Sequence, residues 1–238
     1  MANISKGILG GFSGKVGTIV GANYRGKDSI RSVPKKSGRK PTELQLLQQK
    51  KFRLVVSFLQ PLKPIQSKYF GMSSGVKSKA NLAASYMLNN ALLVVANEPE
   101  LVFNKILITK GELAGFQNQV ATPAVGRIMN FTWDDNSLQG NGNATDVMNV
   151  VSYSEGQQVF EVFQGVATRA DGTAQITLPN YFGGLDIHFW IYFNNAEQKL
   201  ACNSPYLGLI TLISPTTPLE RAGIVCGVKQ VGVFIRLY

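Results

Sequence analysis

A chain of 238 residues with 45% hydrophobic and 16% charged residues is long enough to bury a self-sufficient core, which excludes a wholly disordered chain, a collagen or a coiled coil. The formal net charge of +10 is carried by one end. Residues 1–53 hold twelve lysines and arginines against Asp28 and Glu43, while the remainder balances twelve basic with twelve acidic groups. Such asymmetry points to a basic segment facing a polyanion or a neighbouring subunit, set against the plainer reading of a solubilising tail. The longest unbroken apolar run, Ala91 to Ala96, is far shorter than the roughly 20 residues that span a bilayer. No secretory leader is expected, because glycines at 10, 11 and 14 interrupt the apolar stretch after Lys6. The expected location is the cytoplasm or an assembled particle.

The glycine-rich segment 1–41 favours turns and close backbone approach over helix. Within it, residues 17–21 and 28–33 read as two short extended pieces around Ala22-Asn-Tyr-Arg-Gly26, a plausible hairpin closed by Pro34. Residues 35–41 then read as a basic linker. Thr42-Glu-Leu-Gln45 is a capping-box signature, so a helix is expected to start there and to stop at Pro61 and Pro64. Ala80, Ala83, Ala84, Met87, Ala91 and Leu92 predict a second helix from about Lys79 to Ala96.

From about Val102 the pattern changes to short runs of Val, Ile, Phe, Tyr and Trp separated by Gly, Asn, Asp and Pro. Strands are predicted at 105–109, 127–133, 146–153, 158–163, 174–178, 185–193, 199–203 and 206–213, a spacing that suits an immunoglobulin-like or fibronectin-type antiparallel sandwich. The fold class is therefore α+β: a basic arm or hairpin (1–41), a helical segment (42–101), a β-sandwich (102–213) and a C-terminal extension (214–238). In the strand 185–193, alternation sends Ile187, Phe189, Ile191 and Phe193 to the sandwich core and Asp186, His188, Trp190 and Tyr192 to the other face. That aromatic face lies beneath the helices or forms an interface with another molecule.

Chemical motifs are sparse. Gly21-Ala-Asn-Tyr-Arg-Gly26-Lys27 fits the skeleton of a phosphate-binding loop, but Asp28 stands where a hydroxyl should hold magnesium and no apolar helix follows. His188 with Asp186 lacks any marked nucleophile. Cys202, Cys226 and His188 are too few to hold zinc. The carboxylates Asp134, Asp135, Asp146 and Asp171 fall in expected turns, where backbone bonding accounts for them without calcium. No catalytic residue, cofactor, metal ion or small-molecule substrate is indicated. The one constellation above background is the basic arm, with Lys15, Tyr24, Arg25, Lys27, Arg31, Lys35, Lys36, Arg39 and Lys40 as candidate contacts to nucleic acid or to a neighbouring subunit.

Three sets of residues also resemble a family of uncharacterised Bacteroidota proteins of similar length, known as a domain of unknown function. The N-terminal set is Gly7-Ile-Leu-Gly-Gly-Phe-Ser-Gly-Lys-Val-Gly17 with Val20-Gly21, Tyr24-Arg-Gly-Lys27 and Arg31-Ser-Val-Pro34. The helical set is Pro41-Thr-Glu-Leu-Gln45 with Phe52, and Ala80-Asn-Leu-Ala-Ala-Ser-Tyr86 with Asn90-Ala91. The sandwich set is Leu178-Pro179, Phe182-Gly183, His188 and Ser204-Pro-Tyr206-Leu-Gly208. The likeness spans about residues 1–213 and implies a shared fold, with no activity to carry over. The expected function is a non-enzymatic assembly protein, coat-like or filament-forming, that self-associates, with its basic arm contacting neighbouring subunits, nucleic acid or both. The alternative is a soluble nucleic-acid-binding module without self-assembly.

Overall fold

The structure, a computed structural model, describes residues 3–4, 11–24, 27–35, 38–72 and 77–212. The expected C-terminal extension 214–238 lies outside them, as do Arg25, Lys36 and Cys226.

The N-terminal segment is a four-stranded antiparallel meander of β1 (Asn3–Ile4), β2 (Phe12–Val16), β3 (Ile19–Tyr24) and β4 (Lys27–Ser32) in that spatial order. Gly17, at φ 57°, opens the two-residue turn that pairs Val16 with Ile19. The phosphate-loop skeleton is thus the β3–β4 hairpin, in which Asn23 pairs with Asp28 and Tyr24 with Lys27.

Helix α1 (Glu43–Leu59) starts at the expected capping box: the Gln45 amide donates to Thr42 Oγ1 (3.4 Å) and the Thr42 amide to Gln45 Oε1 (3.1 Å). Pro64 does not stop the chain. It sits in the first turn of α2 (Lys63–Tyr69), where a helix has no use for the missing amide. Helix α3 (Lys79–Asn90), capped by Ser78, ends six residues before the expected boundary. Its continuation is a hairpin, β5 (Leu92–Val95) and β6 (Glu98–Leu101), because Ala96 and Asn97 take φ of 47° and 69° and so form the tight turn that joins two strands.

The rest is built from β7 (Val120–Ala124), β8 (Ile128–Thr132), β9 (Val147–Ser154), β10 (Val159–Thr168), β11 (Thr173–Thr177), β12 (Asp186–Asn194) and β13 (Tyr206–Thr211). They form two antiparallel sheets, β11-β8-β7 and β10-β9-β12-β13. Between the sheets lie Met129, Phe131, Met148, Val150, Ala174, Ile176, Ile187, Phe189, Ile191 and Phe193, all buried.

Two predicted strands, 105–109 and 199–203, are irregular segments that meet through side chains. Ser204 Oγ accepts from the amides of Ile108 (2.8 Å) and Thr109 (3.2 Å), and Thr109 Oγ1 donates to the Cys202 carbonyl (2.8 Å). These bonds satisfy backbone groups that a regular ladder would otherwise serve. Strand β7 was not anticipated. It carries Pro123, which a sheet tolerates because β7 is the outer strand of its sheet.

Candidate interaction surfaces

The aromatic face of β12 is covered by the chain's own helical segment, which corrects the alternative of an exposed interface at His188, Trp190 and Tyr192. Register places Tyr153, Val151 and Asn149 of β9 beside them on the same face. Phe58 of α1 packs edge-on against Tyr153 at 5.2 Å between ring centroids, and Tyr69 of α2 meets Tyr192 at 6.0 Å. The short 3-10 turn Phe103–Lys105 completes the cover. Phe103 stacks on the His188 ring at 3.7 Å, and the Trp190 indole donates to the Ile106 carbonyl at 3.2 Å. A three-layer stack results, with α1 and α2 on one face of a four-stranded sheet and the three-stranded sheet on the other.

His188 is held by this packing. Its Nδ1 lies 2.7 Å from the Tyr206 hydroxyl, and its Nε2 is buried without a hydrogen-bond partner among the described residues. Desolvation pushes the imidazole below its ordinary pKa, and the Asp186 charge opposes this only in part. Asp186 itself accepts a bond from the Thr211 hydroxyl. A histidine kept neutral under a phenylalanine ring packs the sheet against its cover. Burial also raises the phenols of Tyr153, Tyr192 and Tyr206, and pushes the Cys202 thiol up to about 12, so that sulfur serves as a buried acceptor for the Phe193 amide (3.1 Å).

The turn carboxylates have structural partners. Asp134 accepts from the Asn118 side chain (2.6 Å), Asp135 from the Ser137 amide (2.9 Å), and Asp171 from the Thr168 amide (2.7 Å), which holds the Asp171 carboxyl below its ordinary pKa. Asp146 is different. It is fully buried with Arg169, whose Nε and Nη2 lie 3.1 and 3.0 Å from Asp146 Oδ2. The same guanidinium donates to Asn136 Oδ1 (2.5 Å) and to the carbonyls of Ala114 (2.7 Å) and Gly115 (3.3 Å), and lies 4.1 Å above the Phe193 ring. One cation thereby ties the 114–115 and 136–146 loops to the end of β10. Nothing in the residues around Arg169 distinguishes it from a surface arginine in a turn. No cluster of three or more histidine, cysteine or carboxylate side chains suited to a metal occurs among the described residues.

The N-terminal sheet presents two unlike faces. Cross-strand register aligns Lys15, Val20 and Arg31 on one of them. On the other it pairs Val16 with Ile19 and Ile19 with Ser32, and places Ile30 on the same face opposite Gly21; Val16, Ile19 and Ile30 remain 50%, 39% and 65% exposed and do not join the main core. Phe12 shares that apolar side. Gly14 takes φ 115°, and Phe12 lies over Gly21 so closely that a Cβ there would come within 2.2 Å of the Phe12 carbonyl oxygen. Every residue of β4 is exposed, and β4 is the last strand of its sheet.

Among the described residues Lys15, Lys27, Arg31, Lys35 and Lys40 enter no ion pair, whereas Lys50 bonds Glu98 on the β5–β6 hairpin. Tyr24 pairs with Lys27 in the ladder, and Arg39 and Lys40 lie just before α1. The structure therefore brings Lys15, Lys27 and Arg31 together on one small sheet, while Lys35, Arg39 and Lys40 follow on the link to the helices. No helix among the described residues is long and apolar enough to cross a membrane.

Fold and surfaces together define an antiparallel two-sheet sandwich with a helical cover and an appended amphipathic sheet. A model described as a family of unknown function (DUF6266) matches residues 11–208, and the chain belongs to that family. Among solved structures it is similar to the fn3 domain of human collagen alpha-1(XX) chain, at 9% identity and a TM-score of 0.32, over 44% of this chain and 90% of that one. It is also similar to the fn3 domain of human contactin 1, at 9% identity and a TM-score of 0.30, over 46% and 86%. No curated protein sequence matches the chain.

Proposed function

We propose that this protein is a non-enzymatic structural component that self-associates, with an immunoglobulin-like sandwich as its body and the N-terminal sheet as its joining element. One observation carries the reading: Val16, Ile19 and Ile30 form an uncovered apolar face beside a fully exposed edge strand. A small sheet with neither face buried is marginal in water. A second copy laid on that face, or paired along β4, would bury the apolar side chains and satisfy the edge. The cations then keep free subunits apart until the faces match. Sedimentation velocity and negative-stain microscopy of the full chain test the reading. Concentration-dependent oligomers that Ile30→Asp returns to monomer are expected, and a wild-type monomer at every concentration overturns it.

The second reading is a nucleic-acid-binding module, favoured by Lys15 and Arg31, which flank Val20 on one face and enter no ion pair among the described residues, with Lys27 further along β4. It requires affinity for a 30-nucleotide single strand to fall steeply with salt, and Lys15→Ala/Arg31→Ala to reduce that slope by about 1.4. A salt-independent affinity rejects it.

A further inference from the structure

Residues of helices α1, α2 and α3 line a groove of about 1170 Å³. Its apolar lining comes from Phe52, Val56, Ala84 and Leu88, of which Phe52 is 55% and Val56 39% exposed. Lys51 and Lys63 stand at its margins, and a shallower depression sharing Phe52 adds Lys40 and Arg53. Neither depression contains an acidic residue. Gln66 of α2, only 1% exposed, also lines the groove, and its Nε2 is buried with no hydrogen-bond partner among the described residues. An orphaned amide donor inside an apolar trough costs free energy until an acceptor arrives.

We propose that this groove docks an acidic amphipathic helix of a partner protein. The apolar trough between helices suits a stripe of side chains spaced three and four residues apart. The lysines suit carboxylates flanking that stripe. Charge argues against the chain's own ends as occupant. Residues 213–238 carry Arg221, Lys229 and Arg236 against Glu220, and the first 53 residues hold the whole excess of cations, so both have the same sign as the groove. The proposal uses none of the residues that carry the assembly reading, and either stands if the other fails.

The test uses the full chain and a fluorescent 18-residue helical peptide with leucine and phenylalanine at positions i, i+3, i+4 and i+7 and glutamate elsewhere. Three controls accompany it: the peptide with lysine for glutamate, an acidic scramble of the same composition, and a DNA oligonucleotide. Fluorescence anisotropy is expected to show the acidic amphipathic peptide binding at least tenfold tighter than each control. Phe52→Asp should weaken it at least tenfold, with the thermal melt confirming that this exposed site tolerates the change. Lys51→Glu/Lys63→Glu should transfer the preference to the lysine peptide. On binding, the Gln66 side-chain amide resonances should shift, and Ile30→Asp should leave the affinity unchanged. No binding, equal binding of the scramble or the oligonucleotide, or full binding by Phe52→Asp overturns the proposal.

Discussion

Among the described residues, two four-stranded antiparallel sheets have opposite surroundings. In β12 every residue from Ile187 to Asn194 is buried, because one face meets the three-stranded sheet and the other meets α1, α2 and Phe103. In β4 every residue is exposed. Both sheets are antiparallel ladders, and the buried one is itself interrupted between Phe163 and Ala167 and between Phe189 and Trp190, so ladder regularity does not set it apart. What differs is apolar area removed from water, at about 25 cal/mol per Å², and that term stabilises the first sheet while leaving the second to depend on what it meets.

The comparison is broken most forcefully at its buried end. Arg169→Met should cost about 3–5 kcal/mol in urea unfolding, because buried Asp146 loses its only cation and keeps just the Asn143 amide (2.8 Å) as a partner. Joint replacement as Arg169→Met/Asp146→Leu should cost less than Arg169→Met alone, and a larger loss in the double variant would contradict this account of the pair. Trp190→Ala should cost about 3–5 kcal/mol by leaving a cavity under the helices, measured in the same way.

A pH titration sharpens the contrast from the same face. The folded imidazole of His188 has a lowered pKa, so the unfolded chain takes up its proton first as the solution is acidified. Its contribution is complete above about pH 6.5, the ordinary histidine value, and is lost as pH falls toward the folded pKa. The urea midpoint should drop across that window. His188→Phe should flatten the dependence, and an unchanged slope in the variant would assign it to other groups.

Removal of the capping hydroxyl by Thr42→Ala should cost about 1 kcal/mol. At the exposed end, Ile30→Asp should change monomer stability by less than about 0.5 kcal/mol, although it is the variant expected to abolish self-association. A large loss of monomer stability would mean that the N-terminal sheet is held against the body after all.

Legibility followed the range of the forces involved. The Thr42–Gln45 box could be read because cap and partner are three residues apart. The alternation of β12 could be read because both its faces are written in adjacent residues. The spacing of Ala91 and Leu92 predicts that the helix continues through 91–96, but the left-handed turn at Ala96 and Asn97 folds 92–95 into a hairpin strand instead. Segments 105–109 and 199–203 have strand-like composition, but Ser204 and Thr109 bond the backbone in place of a ladder. Arg169 escaped altogether, since the carboxylate, carbonyls and ring that receive it come from four separate stretches of chain.

Composition and short-range pattern alone determined the concentration of cations in the first 53 residues, the α1 cap, the strand-rich character of the second half of the chain, and the two faces of β12. Those properties reside in neighbouring residues. Only the tertiary structure decided what each face meets: the aromatic side of β12 lies under the chain's own helices, Arg169 lies inside, and the apolar side of the N-terminal sheet stays open. Burial depends on contacts between residues far apart in sequence, and no local pattern encodes which of two equally apolar surfaces another part of the chain will reach.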